Sequence, residues 1–144
     1  MEIEYITEDI VKYIRQINRS IHKKHHELAQ KYDLSLEQFH LLVHLDTYEE
    51  NPTITDIAKR HNKAPNTISE RISRLEERGL ILKEKDKKDR RINRVIITKK
   101  GDDLLKAISY KASNEFVKNS LSDMDSKLVN QLVIGLRELS EKLD

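Results

Sequence analysis

The densest group of cationic side chains in this 144-residue chain lies between two β-rich segments, Leu80–Lys85 and Ile92–Thr98. The group consists of Lys87, Lys88, Arg90 and Arg91. Two aliphatic segments separated by a short charged stretch predict a β-hairpin with a cationic tip. Such a tip can hold phosphates or insert an arginine into the minor groove of a duplex. Asp89, in the same stretch, can orient Arg91 through a charge-assisted hydrogen bond.

An amphipathic helix over Pro65–Arg78 is predicted to position this hairpin. Its apolar residues Ile68, Ile72 and Leu75 are spaced by four and three, so one stripe packs inward. Gly79 follows, where a left-handed backbone can end the helix. On and beside the outward face we expect residues that contact DNA. These candidates are Lys63, Pro65, Asn66, Thr67, Ser69, Glu70, Ser73 and Arg74.

The outward face carries the chemistry that base edges and phosphates require in a major groove. Arg74 can form two hydrogen bonds with guanine, Asn66 can do so with adenine, and Glu70 can accept one from cytosine. The hydroxyls of Thr67 and Ser69 lie in the first two turns, where backbone N–H groups also meet phosphates. An alternative stays open for Glu70, because it can instead pair with Arg74 one turn along the helix.

Two shorter helices are predicted before this one. Ser35 begins the first, with Gln38 as its capping-box partner and an inward stripe of Phe39, Leu42 and Leu45. The break at Asn51-Pro52 separates it from a helix over about residues 55–61 with Ile57 and Ala58 inward. Helix, tight turn, helix and hairpin predict a mainly α fold with a small β-hairpin wing, a winged helix-turn-helix over residues 35–99.

Long helices are predicted on both sides of this module, over about residues 3–31, from about 100 to 119, and in a last helix capped by Ser122 or Asp123. Their apolar residues recur every three or four positions. In the first and last helices they are Ile3, Ile6, Ile10, Ile14, Ile17, Ile21, Leu128, Leu132, Leu136, Leu139 and Leu143. We expect residues 1–34 and 100–144 to bury these stripes in a two-fold homodimer. The alternative is that both ends fold over their own monomer.

Charge is distributed unevenly along the chain. Residues 53–101 contain 15 Lys and Arg against 7 Asp and Glu, whereas the remainder contains 12 against 18. A positive field on one region favours phosphate binding. The absence of cysteine excludes disulfides and thiolate metal sites. No apolar run of membrane-spanning length occurs, so no membrane partner is predicted, and the acidic start is not a secretory signal, which favours the cytoplasm.

These elements resemble the MarR family of bacterial transcription regulators. Asp86–Arg91, followed by Val95–Thr98 and Gly101, is similar to the family's wing signature, an Asp–x–Arg tip before a V-x-L-T-x-x-G strand end. Ser35–Gln38 and Leu75–Leu80 also resemble family patterns. The resemblance implies a homodimer that binds double-stranded DNA sequence-specifically at an inverted repeat. Such regulators are usually repressors, often relieved by a small anionic or phenolic ligand.

The resemblance also assigns residue roles. Arg91 matches the family arginine that enters the minor groove. Ala64 departs from the family, which often has a Ser or Asp helix cap there. The implied effector pocket lies between the dimerising helices and the DNA-binding lobe, with His22, His40 and His44 as candidate lining residues.

Parts of the sequence are also compatible with other functions. His40 and His44 are one helical turn apart, a spacing that can bind Zn²⁺, and His40 lies where zinc-responsive relatives have a ligand. Those relatives also use a histidine pair after the wing, which residues 100–119 lack. No metal or cofactor is therefore predicted, and zinc-responsive regulation stays an alternative.

Without a Gly-rich phosphate loop, a Cys nucleophile or a Ser elbow, no enzyme is expected. Winged helices also serve as protein-interaction modules.

Overall fold

The structure is a computed structural model that describes residues 2–144. It is mainly helical with one two-stranded antiparallel hairpin, which confirms the predicted fold class. The helices are α1 (Glu2–Lys31), α2 (Leu36–Leu45), α3 (Ile54–His61), α4 (Pro65–Glu77), α5 (Lys99–Ser109), α6 (Phe116–Leu121) and α7 (Ser126–Leu143), with a π-helical segment at Tyr110–Glu115; the strands are β1 (Ile81–Lys85) and β2 (Asn93–Ile97). None of the helices within residues 2–144 is long and apolar enough to cross a bilayer.

The chain forms two compact units. One is His26–Ser109, and the other combines the chain up to residue 25 with Tyr110–Asp144. Two predictions about function stay predictions: residues 35–99 bind DNA, and residues 1–34 together with 100–144 form the dimer.

The core of the His26–Ser109 unit is built from the predicted inward stripes. The stripe of α4 is fully buried, and so is the inward side of α3. These buried residues, with those of α2, are Phe39, Leu42, Leu45, Ile57, Ala58, Ile68, Ile72 and Leu75. Because burial of these side chains fixes the rotation of α4, it also fixes which residues α4 presents outward.

Capping boxes start two helices of this unit. At α2, Ser35 Oγ accepts from Gln38 N (3.1 Å) and Ser35 N donates to Gln38 Oε1 (3.0 Å), as predicted. A second box, which the sequence analysis missed, joins Thr53 and Asp56 at the start of α3. Hydrogen bonds from Thr53 hold the pKa of the Asp56 carboxyl below its usual value. The acid therefore stays ionised at the positive end of the helix.

The hairpin pairs Ile81 with Ile97 at its base and Lys85 with Asn93 near its tip. A short piece of chain before α3 adds to this sheet, because Val95 N donates to Pro52 O (2.8 Å) and Thr53 forms a bridge with Arg94. The wing is therefore attached to the α2–α3 connection as well as to α4.

In the other unit, α1 and α7 leave their apolar stripes exposed. The helix predicted from about 100 to 119 is interrupted by the π-helical segment and ends at Leu121. The predicted cap of the last helix was wrong: Asp125 accepts from Leu128 N (3.1 Å), not Ser122 or Asp123. Ser122 and Asp123 instead extend the last turn of α6, with their N–H groups bonded to the carbonyls of Lys118 and Ser120.

Candidate nucleic-acid interface

The outward face of α4 is polar and accessible. Asn66, Glu70 and Arg74 are exposed and follow one another at four-residue spacing, as the predicted rotation of the helix requires. Lys63 and Pro65 are also exposed at the helix entrance. This line of three side chains is the part of α4 that a groove could accommodate.

The three hydroxyl residues of α4 flank that line. Thr67, Ser69 and Ser73 are half-buried rather than fully outward. Ser73 lies towards β1, where Lys83 Nζ is 3.5 Å from its Oγ. The structure thus places Ser73 at the junction between helix and hairpin.

Glu70 and Arg74 form an ion pair in the DNA-free protein. Arg74 Nη2 lies 2.7 Å from Glu70 Oε1, and both side chains are about two-thirds exposed (64% and 66%). The predicted pairing of Glu70 with Arg74 is therefore present without DNA, and the cytosine contact of Glu70 stays a prediction. Exposed pairs of this spacing stabilise a helix by only about 0.3–0.5 kcal/mol, so the pair leaves Arg74 free to exchange partners.

The first turn of α4 begins at a proline and has no side-chain cap, as predicted. Pro65 occupies the first helical position, and the side chain of Ala64 forms no cap hydrogen bond. A serine or aspartate there would satisfy one first-turn N–H group. With Ala64, backbone donors in this turn can serve an outside acceptor such as a phosphate.

At the hairpin tip, Asp89 holds the side chain of Arg91 in a fork. Arg91 Nε donates to Asp89 Oδ1 (3.0 Å) and Nη2 donates to Oδ2 (3.1 Å), as predicted. The Arg91 side chain is 90% exposed in spite of these bonds. The hydrogen bonds from Arg91 lower the pKa of the Asp89 carboxyl and raise that of the guanidinium. The tip therefore presents an ionised, oriented arginine to solvent.

The other cationic candidates of the tip are solvent-exposed. Lys87, Lys88 and Arg90 are all open to solvent on the stretch between the strands. Their contact with phosphates stays a prediction. The structure thus brings the tip candidates together on one loop, separate from the α4 line.

Arg94 and Asp86 pair near the tip end of the hairpin, and sequence reasoning missed their pairing. Arg94 Nε donates to Asp86 Oδ1 (2.6 Å), and Arg94 Nη1 donates to Asn51 O (2.5 Å). The Arg94 bond is the largest of the effects that hold the Asp86 pKa at about 2. Nothing in the sequence distinguishes Arg94 from a solvent-exposed or phosphate-binding cation, so no sequence signal pointed to this partner.

Two of the three candidate effector-pocket residues lie in a row of imidazoles within the His26–Ser109 unit. His40 stacks on His44 with 6.3 Å between ring centroids, and the row continues to His26 (5.6 Å from His40) and His61 (5.1 Å from His44). His22 contacts His25 on α1 instead, at 6.2 Å. Within residues 2–144, no group of three or more His, Asp or Glu side chains is placed to hold a metal ion.

Comparison with known proteins gives a consistent result. Residues 34–92 match the family model described as MarR family. Helix-turn-helix-type transcriptional regulators of Bacillus cereus and Bacillus anthracis, themselves uncharacterised, are each 26% identical over 137 residues, covering 92% of this chain and 88% of the relative.

Solved structures share the fold. A Staphylococcus aureus MepR variant bound to an oligodeoxyribonucleotide superposes with a TM-score of 0.73 at 24% identity, over 94% of this chain and 98% of that one. The transcriptional regulator Tm0710 of Thermotoga maritima has a TM-score of 0.85 at 20% identity, over 94% of each chain. With the winged helix-turn-helix and its oriented tip arginine in place, residues 34–92 match the MarR family, and the chain is similar to helix-turn-helix-type transcriptional regulators.

Proposed function

We propose that this protein binds double-stranded DNA as a homodimer and regulates transcription from an inverted-repeat operator. The observation that carries the proposal is the Asp89–Arg91 fork, which holds an exposed arginine at the tip of a cationic hairpin. The exposed line of Asn66, Glu70 and Arg74 on α4 supplies base-reading chemistry in the same unit. In this arrangement α4 enters a major groove and Arg91 enters the adjacent minor groove.

The dimer is supported by an apolar groove within the unit formed by the two chain ends. Its volume is about 600 Å³, and its lining is contributed by α1, α6 and α7. Ile17, Leu132 and Leu136 line it and are 54%, 42% and 48% exposed. A second copy of the chain would bury this surface, and two-fold symmetry would then place two reading helices about one helical turn of DNA apart, roughly 10 bp.

The direction of regulation follows from family resemblance alone. We propose a repressor in the cytoplasm that a small anionic or phenolic ligand relieves, with His22, His40 and His44 as candidate pocket residues. Transcription of a reporter behind the selected operator, with and without the protein, tests the sign of regulation.

Selection of bound genomic fragments tests DNA binding directly. The purified protein is incubated with sheared genomic DNA, and recovered fragments are used as labelled duplexes in anisotropy titrations at several salt concentrations. We expect an inverted repeat, a stoichiometry of one dimer per site and a steep loss of affinity with salt. Failure to bind any duplex at low salt, together with no retention on heparin, would overturn the proposal and favour a protein-interaction module.

A further inference from the structure

We infer that Asp86 is a positioning residue of the proposed DNA-binding surface, and the inference rests on that proposed function. Its carboxylate fixes the backbone of the hairpin tip so that the Asp89–Arg91 fork faces the duplex. Asp86 itself is not placed in contact with DNA, since its side chain is only 16% exposed.

The Asp86 carboxylate accepts hydrogen bonds from both sides of the tip. Oδ2 accepts from the backbone N–H groups of Lys88 (3.0 Å) and Asp89 (2.8 Å), whereas Oδ1 accepts from Arg94 Nε (2.6 Å). The backbone of Asp86 is held as well, because its N–H donates to Ile92 O (2.8 Å). One side chain therefore ties the loop to the strand that leaves it.

Arg94 extends this tie to the rest of the unit. Its Nη1 donates to Asn51 O, and its strand is bonded to the chain before α3 through Val95 N and Pro52 O. The loop that carries the cationic tip is thus anchored, through Arg94, to the segment that leads into the helix-turn-helix. A wing so anchored keeps a fixed position relative to α3 within this unit.

The anchor, that is the hydrogen-bonded pair of Asp86 and Arg94, also positions Arg91, and it does so through Asp89. Asp86 bonds the N–H of Asp89, and the Asp89 carboxylate bonds both the N–H and the guanidinium of Arg91. Positioning Asp89 therefore positions Arg91. The hydrogen bonds from Arg94 and Asp89 hold the pKa of Asp86 at about 2, so its negative charge is present wherever DNA binding would be measured.

The direction in which a substitution changes duplex affinity separates a positioning role of Asp86 from a purely electrostatic one. A carboxylate near DNA repels phosphates, so charge alone predicts that removing it strengthens binding. Positioning predicts the reverse. Asp86→Asn keeps the shape, but one amide oxygen cannot serve both Arg94 and the two loop N–H groups. Glu84→Gln removes the same charge from an exposed position on the same hairpin and is the matched control.

Duplex affinity is measured by anisotropy for wild type, D86N, E84Q and Arg94→Lys. We expect D86N to weaken binding about ten-fold, consistent with loss of charge-assisted bonds that hold the loop, and E84Q to bind as well as or better than wild type. R94K, which keeps its charge but loses the planar fork, should shift affinity in the same direction as D86N. In an Arg91→Ala background, D86N should have little further effect. Equal behaviour of D86N and E84Q, or full additivity with R91A, would overturn the inference.

A measurement without DNA separates this inference from the proposed function. The Arg91 Nε–H signal is followed by ¹⁵N NMR in full-length wild type and R94K, with D86N added if it melts cooperatively. We expect faster solvent exchange of this proton when the anchor is broken. Unchanged exchange would overturn the positioning role of Asp86. Faster exchange in the variants of a protein that binds no duplex would support that positioning role and reject the proposed DNA binding instead.

Discussion

Gly101, in the first turn of α5, packs directly against the carbonyl oxygen of Leu80. A Cβ at Gly101 would overlap that oxygen and would lie 2.9 Å from Ile97 Cγ1. Thr98 closes the same corner, because its Oγ1 donates to Gly79 O (2.6 Å) and accepts from Gly101 N (3.1 Å). The end of the wing is thereby fixed to the end of α4. This close packing explains why a glycine, Gly101, stands three residues after Thr98.

We expect Gly101→Ala to destabilise the protein by about 1–3 kcal/mol, the usual result of forcing atoms into a packed site. Gly135→Ala is the control, because nothing lies within 4 Å of a Cβ there. Since alanine is the better helix former, that variant should be neutral or more stable by up to about 1 kcal/mol. Urea unfolding followed by circular dichroism measures both, and equal losses in the two variants would contradict the steric argument.

Features set by neighbouring residues could be predicted from the sequence. The inward stripe of α4, the Ser35–Gln38 capping box and the Asp89–Arg91 fork each involve residues two to four positions apart. At such separations, helix geometry and hydrogen-bonding chemistry decide the contact. Most of the exposed face of α4 could be predicted for the same reason.

Contacts between distant segments could not be predicted. Arg94 bonds Asn51 O across 43 residues, and Arg78 bonds Tyr32 O across 46. In the sequence both arginines are indistinguishable from solvent-exposed or phosphate-binding cations. The prediction of the α7 cap was wrong for a related reason. Asp123 and Asp125 are both acceptable caps, and the last turn of α6 decides between them.

Glu70→Gln distinguishes the two roles of Glu70. Because the carboxylate pairs with Arg74 at 2.7 Å, we expect its removal to release the arginine and to strengthen binding to operator and unrelated duplex alike. Stability should change by less than about 0.5 kcal/mol. Parallel anisotropy titrations with both duplexes provide the measurement. A selective loss of operator affinity would instead assign Glu70 to a cytosine contact.

Arg91→Ala tests the minor-groove role of the wing. Loss of one cation from the interface should weaken binding and reduce the magnitude of the slope of log K against log salt by about 0.9. Lys127→Ala is the matched control, because Lys127 is exposed on α7, outside the predicted interface. Titrations at four salt concentrations measure both slopes, and an unchanged slope in R91A would remove Arg91 from the DNA contact.

Leu132→Glu tests the proposed dimer surface. Leu132 lines the apolar groove and is 42% exposed, so a charge there would be desolvated by a second copy. We expect sedimentation velocity to show monomers for Leu132→Glu and dimers for wild type. Lys127→Glu places the same carboxylate on the same helix outside the groove and should stay dimeric. A Leu132→Glu protein that remains dimeric with unchanged circular dichroism would place the interface elsewhere.

We expect His61 to make the stability of the protein depend on pH. Burial is the largest effect that lowers the pKa of its imidazole below 6.5, and His44, Arg60, Arg71 and His40 lower it further. Its Nε2 is buried and, within residues 2–144, has no hydrogen-bond partner. The unfolded chain therefore takes up this proton at a higher pH than the folded one, so stability falls as the pH drops below about 6.5.

We expect His61→Gln to reduce the fall in melting temperature between about pH 7.5 and 5.5, the range in which histidine titrates. The control is His22→Gln, which replaces an exposed imidazole on α1 and should retain the wild-type profile. Thermal melts followed by circular dichroism at several pH values supply the comparison. If His61→Gln loses as much stability on acidification as wild type does, the responsible group lies elsewhere, because a glutamine side chain takes up no proton in this pH range.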